Sequence, residues 1–267
     1  MRNNSVALAA DEDLLAALFQ RRCGGSKELR GHTLGNLILA ALAERTGSFL
    51  QAVEMASRIL RVSGRILPST LQDVTLRAVF DDGGVLEGET RIAAASRPIR
   101  EISLTPSQAH PAPGVIDAIR DADLVVLGPG SLFTSIIPNL VVHGVGEALR
   151  KTGAVVVFVA NIVRPRSEAS SLDIQDHVRI LERHAGGEFV DSVLVHQGVF
   201  DAEVLGRYAA EGAVPLVCSA PFRPGIVVRR RNLLGVTSKL RHDPEATAAG
   251  LLELWTTQVV QSTGASA

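Results

Sequence analysis

The residues best placed to do chemistry are Gly128, Pro129, Gly130 and Ser131, which follow the apolar run Leu124 to Leu127 and precede a helical pattern from Leu132 to Ile137. Glycines at a strand end let backbone N–H groups approach an anion, and the helix that follows adds the positive end of its dipole. A phosphate or other polar ligand could be held there by the Gly130 and Ser131 N–H groups, with the Ser131 and Thr134 hydroxyls adding hydrogen bonds. The same residues equally make an unliganded turn in which Ser131 is only the N-cap. No Gly-Lys-Ser/Thr follows, so this is not a Walker loop. The full GxGxxG pattern is also absent, and the next apolar strand ends in Ala160 and Asn161 rather than in an acidic residue.

Other polar residues stand where they could join such a site. His32, between Gly31 and Thr33 at the mouth of a helix, could contact phosphate or exchange a proton near neutral pH. Asn36 is four residues on and shares its helix face. Asn161, at a strand end, could read a base or ribose or cap the next turn. His177 and His184 are read as solvated or capping residues, because no third ligand at metal spacing accompanies them. Arg229 to Arg231 read as a solvated strand end, and Asp81-Asp82-Gly83-Gly84 as a hairpin turn with no metal role. Asp173, Asp176 and His177 cluster on a helix without a nucleophile beside them, and no Gly-x-Ser-x-Gly elbow occurs, so no catalytic residue is assigned.

The elements that must position these residues follow from periodicity. Leu14, Leu15, Leu18 and Phe19 recur at helical spacing behind Asp11, Glu12 and Asp13, and helices are expected over Thr33 to Ala43 and Phe49 to Leu60, separated by Thr46-Gly47-Ser48. Alternation over Val74 to Phe80 and at Ile102 and Leu104 predicts a small antiparallel segment. Short, continuously apolar strands at Leu124 to Leu127, Ala154 to Ala160, Ser192 to Val195 and Leu216 to Cys218 alternate with helices, the pattern of a parallel sheet covered on both faces. Pro244 to Val260 reads as a terminal helix with Asp243 as its N-cap. The expected fold class is α/β, a doubly wound Rossmann-like sheet in one domain over 1–267, with a helical part at 1–61, a β insertion at 62–105 and the Rossmann-like part at 106–267.

Composition bounds the function. With 46% hydrophobic residues in 267 the chain can bury a large core, and a formal charge of −1 supplies no field to gather nucleic acid. Cys23 and Cys218 form no CxxC pair, so neither zinc nor a disulfide framework is expected. No leader or apolar run of the roughly 20 residues a membrane helix needs is read, and the expected compartment is the cytoplasm, with no nucleic-acid or membrane partner.

Four segments carry a resemblance. Gly31 to Leu37 (GHTLGNL), Gly64 to Pro68 (GRILP), Gly128 to Leu140 (GPGSLFTSIIPNL) and Val159 to Ile162 (VANI) are similar, in order, to motifs of the gluconeogenesis factor and 2-phospho-L-lactate transferase family. The resemblance implies one of two activities. One branch transfers a phospholactyl group from an activated guanosine nucleotide to a deazaflavin alcohol, and its loop typically reads Gly-Pro-Ser-Asn-Pro. The other regulates carbon metabolism and cell shape and binds nucleotide sugars such as UDP-N-acetylglucosamine; Gly130 to Ser135 is similar to that branch. By resemblance the ligand residues are His32, Asn36, Gly128, Pro129, Gly130, Ser131, Thr134 and Asn161, with no resident metal. Mg2+ enters only with the transferase, where it would neutralise the departing diphosphate.

The sequence departs from the family in two places. It starts downstream of the family's first strand, its Gly-Gly-Gly-Thr-Gly loop and its Asp-Asp-Gly-Gly segment, and Arg164 to Glu168 (RPRSE) replaces Thr-Gln-Pro-Gly-Glu-Thr. The expectation is either a late gene start or a degenerate, non-binding relative. A sheet edge left open in this way predicts self-association into a homo-oligomer.

Overall fold

The computed structural model describes residues 15–24, 29–95, 97–164, 172–210, 212–235 and 240–264. Asp11 to Leu14 and Pro165 to Glu168, which the sequence reading uses, lie outside the described residues. The chain divides into two compact units, Met1–Leu71 with Ala112–Val115, and Gln72–Pro111 with Ile116–Ala267. The division at 71/72 falls ten residues beyond the expected end of the helical part.

The first unit is built from α1 (Leu15–Gln20), α2 (Leu34–Thr46) and α3 (Phe49–Ile59). The expected helical hairpin is present. Helix α2 runs to Thr46 and stops because Gly47 takes the left-handed conformation at φ 64°. Ser48 then caps α3, its Oγ accepting from the Gln51 N–H at 3.4 Å. Phe19, Leu39, Val53, Ala56, Leu60 and Ile66 close on one another as the core of this unit.

The second unit opens with β1 (Thr75–Phe80), β2 (Val85–Glu87), α4 (Glu89–Ala94) and β3 (Ile99–Thr105). The strands form an antiparallel sheet of order β2-β1-β3, with Ala78 opposite Leu86 on one side and Ile102 on the other. Asp81 to Gly84 make the expected hairpin turn, in which Gly83 has φ 82° and Asp82 accepts from the Gly84 N–H at 2.9 Å and pairs with Arg97.

There follow α5 (Val115–Arg120), β4 (Leu124–Leu127), a π-helical turn (Leu132–Ile136), α6 (Ile137–Leu140), α7 (Val145–Lys151), β5 (Val155–Val159), β6 (Val163–Arg164), α8 (Ile174–Ala185), β7 (Ser192–His196), α9 (Ala202–Ala210), β8 (Val214–Pro215), β9 (Val227–Arg231) and α10 (Pro244–Gly264). Strands β4, β5, β7 and β9 form a parallel sheet in that order. Alternation along β5 sends Phe158 to one face, where its ring lies 6.3 Å from that of His177 on α8. Val157 and Val159 face the other way, against Leu194, Leu233 and Leu254 of α10. Each such side chain removed from water stabilises the fold by about 1.5–3 kcal/mol. Helices on both faces make this the doubly wound α/β arrangement expected. No single helix among the described residues is long and apolar enough to cross a membrane.

The fourth parallel strand corrects the sequence reading. Leu216 to Cys218 is not in the sheet; Val214 and Pro215 pair only with β6, antiparallel, since proline has no N–H to give a central ladder. The sheet is completed instead by β9, in register with β7 from Ser192↔Val227 to His196↔Arg231. Arg229 to Arg231, read as a solvated strand end, are its last three residues. Arg229 and Arg231 project to one face and share Glu253 of α10, at 3.2 and 2.6 Å, while Arg230 donates to Cys218 Sγ at 3.2 Å.

Candidate functional site

All four strands of the parallel sheet point the same way, and Gly128 to Ser131 leave β4 at its carboxyl edge, where open α/β sheets bind ligands. Gly128 has φ 87°, and a Cβ there would lie 2.9 Å from the Val159 carbonyl oxygen of β5 and 3.3 Å from Ile136 Cδ1. Only glycine fits both that backbone angle and that approach. The Gly128–Pro129 peptide is cis. Ser131 caps the π-helical turn, its Oγ accepting from the Thr134 N–H at 3.4 Å and its carbonyl accepting from the Ser135 and Ile136 N–H groups at 3.0 and 3.1 Å.

Asn161, two residues past the end of β5, pairs with Gly130 at two points. Its Oδ1 accepts from the Gly130 N–H at 3.0 Å, and its Nδ2 donates to the Gly130 carbonyl at 2.8 Å. The Gly130 N–H, expected to meet a phosphate, is bonded to Asn161, and of the two kinds of role open to Asn161, ligand reading or turn support, these bonds show the structural one. Gly128, Pro129, Gly130, Ser131, Thr134 and Asn161 are thus brought into one constellation.

A histidine pair that the sequence reading did not single out stands at the same edge. His196 ends β7 and lies two residues past Leu194, just as Asn161 lies two past its partner Val159. Its Nδ1 accepts from the Leu233 N–H at 3.1 Å, which leaves the proton on Nε2, and that atom is buried with no hydrogen-bond partner among the described residues. His242 donates from Nε2 to the Ala160 carbonyl at 3.0 Å. Burial lowers the pKa of both below the usual histidine value; the neighbouring His242 lowers His196 further, and the bond to Ala160 partly offsets the effect in His242. Both therefore favour the neutral form. A histidine closing an apolar parallel strand was a signal available in the sequence for His196. Nothing local marked His242, which the chain returns to the edge after β9.

His32 and Asn36 belong to the helical unit. Both are exposed at the start of α2, where the Thr33 Oγ1 is buried without a hydrogen-bond partner among the described residues. The other histidines differ from expectation. His177 is 1% exposed, and desolvation, with the nearby Arg164 charge, lowers its pKa to about 4. His184 is half-buried, its Nδ1 donating to the Ile180 carbonyl at 2.7 Å and its Nε2 accepting from the Ile102 N–H at 3.1 Å. Neither is solvated, because α8 turns this face onto the two sheets. Asp173 and Asp176 form a capping box at the start of α8, not a reactive cluster.

Known proteins are similar to this chain in sequence and in fold. The sequence profile of the family described as 2-phospho-L-lactate transferase CofD matches residues 1–234. The gluconeogenesis factor of Bacillus subtilis (strain 168) is 38% identical over 257 residues, 95% of this chain and 81% of that protein. The gluconeogenesis factor of Halalkalibacterium halodurans is 37% identical over 217 residues, 81% of this chain and 67% of its own length. A crystal structure of a upf0052 family member from Bacillus halodurans superimposes with a TM-score of 0.87 at 33% identity, covering 94% of this chain and 81% of the other.

Proposed function

The chain belongs to the 2-phospho-L-lactate transferase CofD family, and from that premise we propose that it acts as a gluconeogenesis factor, a regulator of carbon metabolism and cell shape that binds a nucleotide sugar such as UDP-N-acetylglucosamine. The observation that carries this is the Gly128 to Ser131 turn, fixed by Asn161 at the carboxyl edge of the parallel sheet. With the Gly130 N–H already engaged, the groups offered to the diphosphate are the Ser131 and Thr134 hydroxyls. The buried Nε2–H of His196 is a further donor at the same edge. The names carried by the relatives favour regulation over catalysis.

Calorimetric titration with UDP-N-acetylglucosamine tests this directly. Saturable binding is expected, weakened by about tenfold when Ser131 or Thr134 loses its hydroxyl, the worth of one hydrogen bond to a charged group. No heat up to about 10 mM ligand, the weakest affinity a specific site would be expected to show, overturns it. The family's own description favours a second reading, a phospholactyl transferase. Incubation with an activated guanosine nucleotide, a deazaflavin alcohol and Mg2+, followed by mass spectrometry, decides it, and a phospholactyl product replaces the regulatory reading.

A further inference from the structure

The GRILP segment, Gly64 to Pro68, takes no part in the site above, yet it borders a concavity of about 560 Å³ that lies wholly within the helical unit. Three of the lining residues are Arg58, Arg61 and Arg65, against a single carboxylate, Glu54. Leu50, Val62 and Leu67 supply apolar wall. The size is that of a small-molecule pocket.

The arginines are held in an unusual way. Helix α3 ends in a Schellman motif, with the Val62 N–H donating to the Ser57 carbonyl at 2.9 Å and the Arg61 N–H to the Arg58 carbonyl at 3.1 Å. The left-handed position of that motif is Arg61, at φ 50°, the one non-glycine residue with positive φ among the described residues. The corresponding positions after α2 and α8 are Gly47 and Gly186. Arginine costs more than glycine at such a backbone angle, and the side chain kept there lines the concavity. Arg65 lies against Gly114, where a Cβ would come 2.9 Å from its Nη2, so the glycine leaves room for the guanidinium to rest on main chain. Arg97, Arg120, Arg223, Arg229 and Arg231 all meet carboxylates. Arg58 and Arg65 meet none among the described residues.

We propose that this concavity, lined wholly by residues of the helical unit, binds a small organic phosphate monoester with an apolar body. Guanidinium forks match phosphate oxygens with paired hydrogen bonds, and the Leu50, Val62 and Leu67 wall takes the apolar part. The reaction is binding only; no bond is made or broken.

The probe is 1-naphthyl phosphate, followed by calorimetry on the full chain, with 1-naphthol as its neutral counterpart. Binding is expected with a Kd between about 10 µM and 1 mM, and at least about tenfold weaker for 1-naphthol. R58Q/R65Q should weaken it by about tenfold or more, with the far-UV spectrum unchanged. R61G is the sharper variant: it should weaken binding while the Tm stays level or rises by about 2–4 °C, a pairing that a purely structural arginine cannot give. Equal binding of 1-naphthol, full binding by R58Q/R65Q, or no binding by about 5 mM probe overturns the proposal. So does displacement of the probe by UDP-N-acetylglucosamine, which would put the probe at the strand-end turn.

Discussion

Two turns with positive φ carry opposite lessons. At Gly128 the backbone has φ 87° and the Val159 carbonyl stands 2.9 Å from where a Cβ would go, so the sheet itself dictates glycine. At Arg61 the backbone has φ 50° and the residue is exposed, so the fold would accept glycine at less cost than the arginine present. The first residue is explained by packing, whatever the turn binds. The second is a costlier choice than glycine at its backbone angle, and its side chain lines the concavity proposed to bind phosphate.

Gly128→Ala should break the fold before it tests any ligand. A strained backbone angle and an overpacked contact each cost about 1–3 kcal/mol, and together we expect a loss of about 4 kcal/mol in urea denaturation. A loss under about 1 kcal/mol, the low end of either effect alone, would remove the contrast with Arg61.

The histidines divide in the same way, His177 dictated by packing and His32 exposed. His177 has a folded pKa of about 4 against 6.5 in the unfolded chain. Between those values the unfolded chain takes up a proton that the folded chain refuses, so stability falls as pH drops through 6.5 and levels off below about 4. The change should reach roughly 3 kcal/mol. Tm measured from pH 7.5 to pH 4 should show this slope, and His177→Met should flatten it; an unchanged slope in the variant would assign the loss to other groups.

Much of the fold was legible because burial dictates residue type. The β5 run Val155 to Val159 and the helix stop at Gly47 could be read from apolar continuity and one glycine. Of strand β9 only a solvated end at Arg229 to Arg231 could be read, since its place in the sheet depends on Glu253 from a helix more than twenty residues on. The site followed the same rule. The Gly128 to Ser131 turn is local and was visible, but the pairing of Asn161 with Gly130 spans 31 residues and could not be read from either segment alone. His196 and His242 meet at one edge only through the order of the strands. Arg61 was missed because a helix end that uses a residue other than glycine leaves no mark in the sequence.

Asn161 and Arg61 sharpen the contrast at smaller scale. Asn161→Ala removes two hydrogen bonds to Gly130 and should cost about 2 kcal/mol, with UDP-N-acetylglucosamine binding weakened alongside. Stability and binding fall together there, because the residue acts by shaping the turn. Arg61→Gly should do the reverse. It relieves a left-handed residue and keeps the Val62 to Ser57 bond that closes α3, so denaturation should show a gain of about 0.5–1 kcal/mol, reduced by the greater freedom of glycine in the unfolded chain. A destabilisation of 1 kcal/mol or more, of about the size that losing a native hydrogen bond brings, would mean that Arg61 holds the corner together, and the difference between the two turns would vanish. A gain in stability with a loss of phosphate binding is the result that separates a residue the fold needs from one it carries for a ligand.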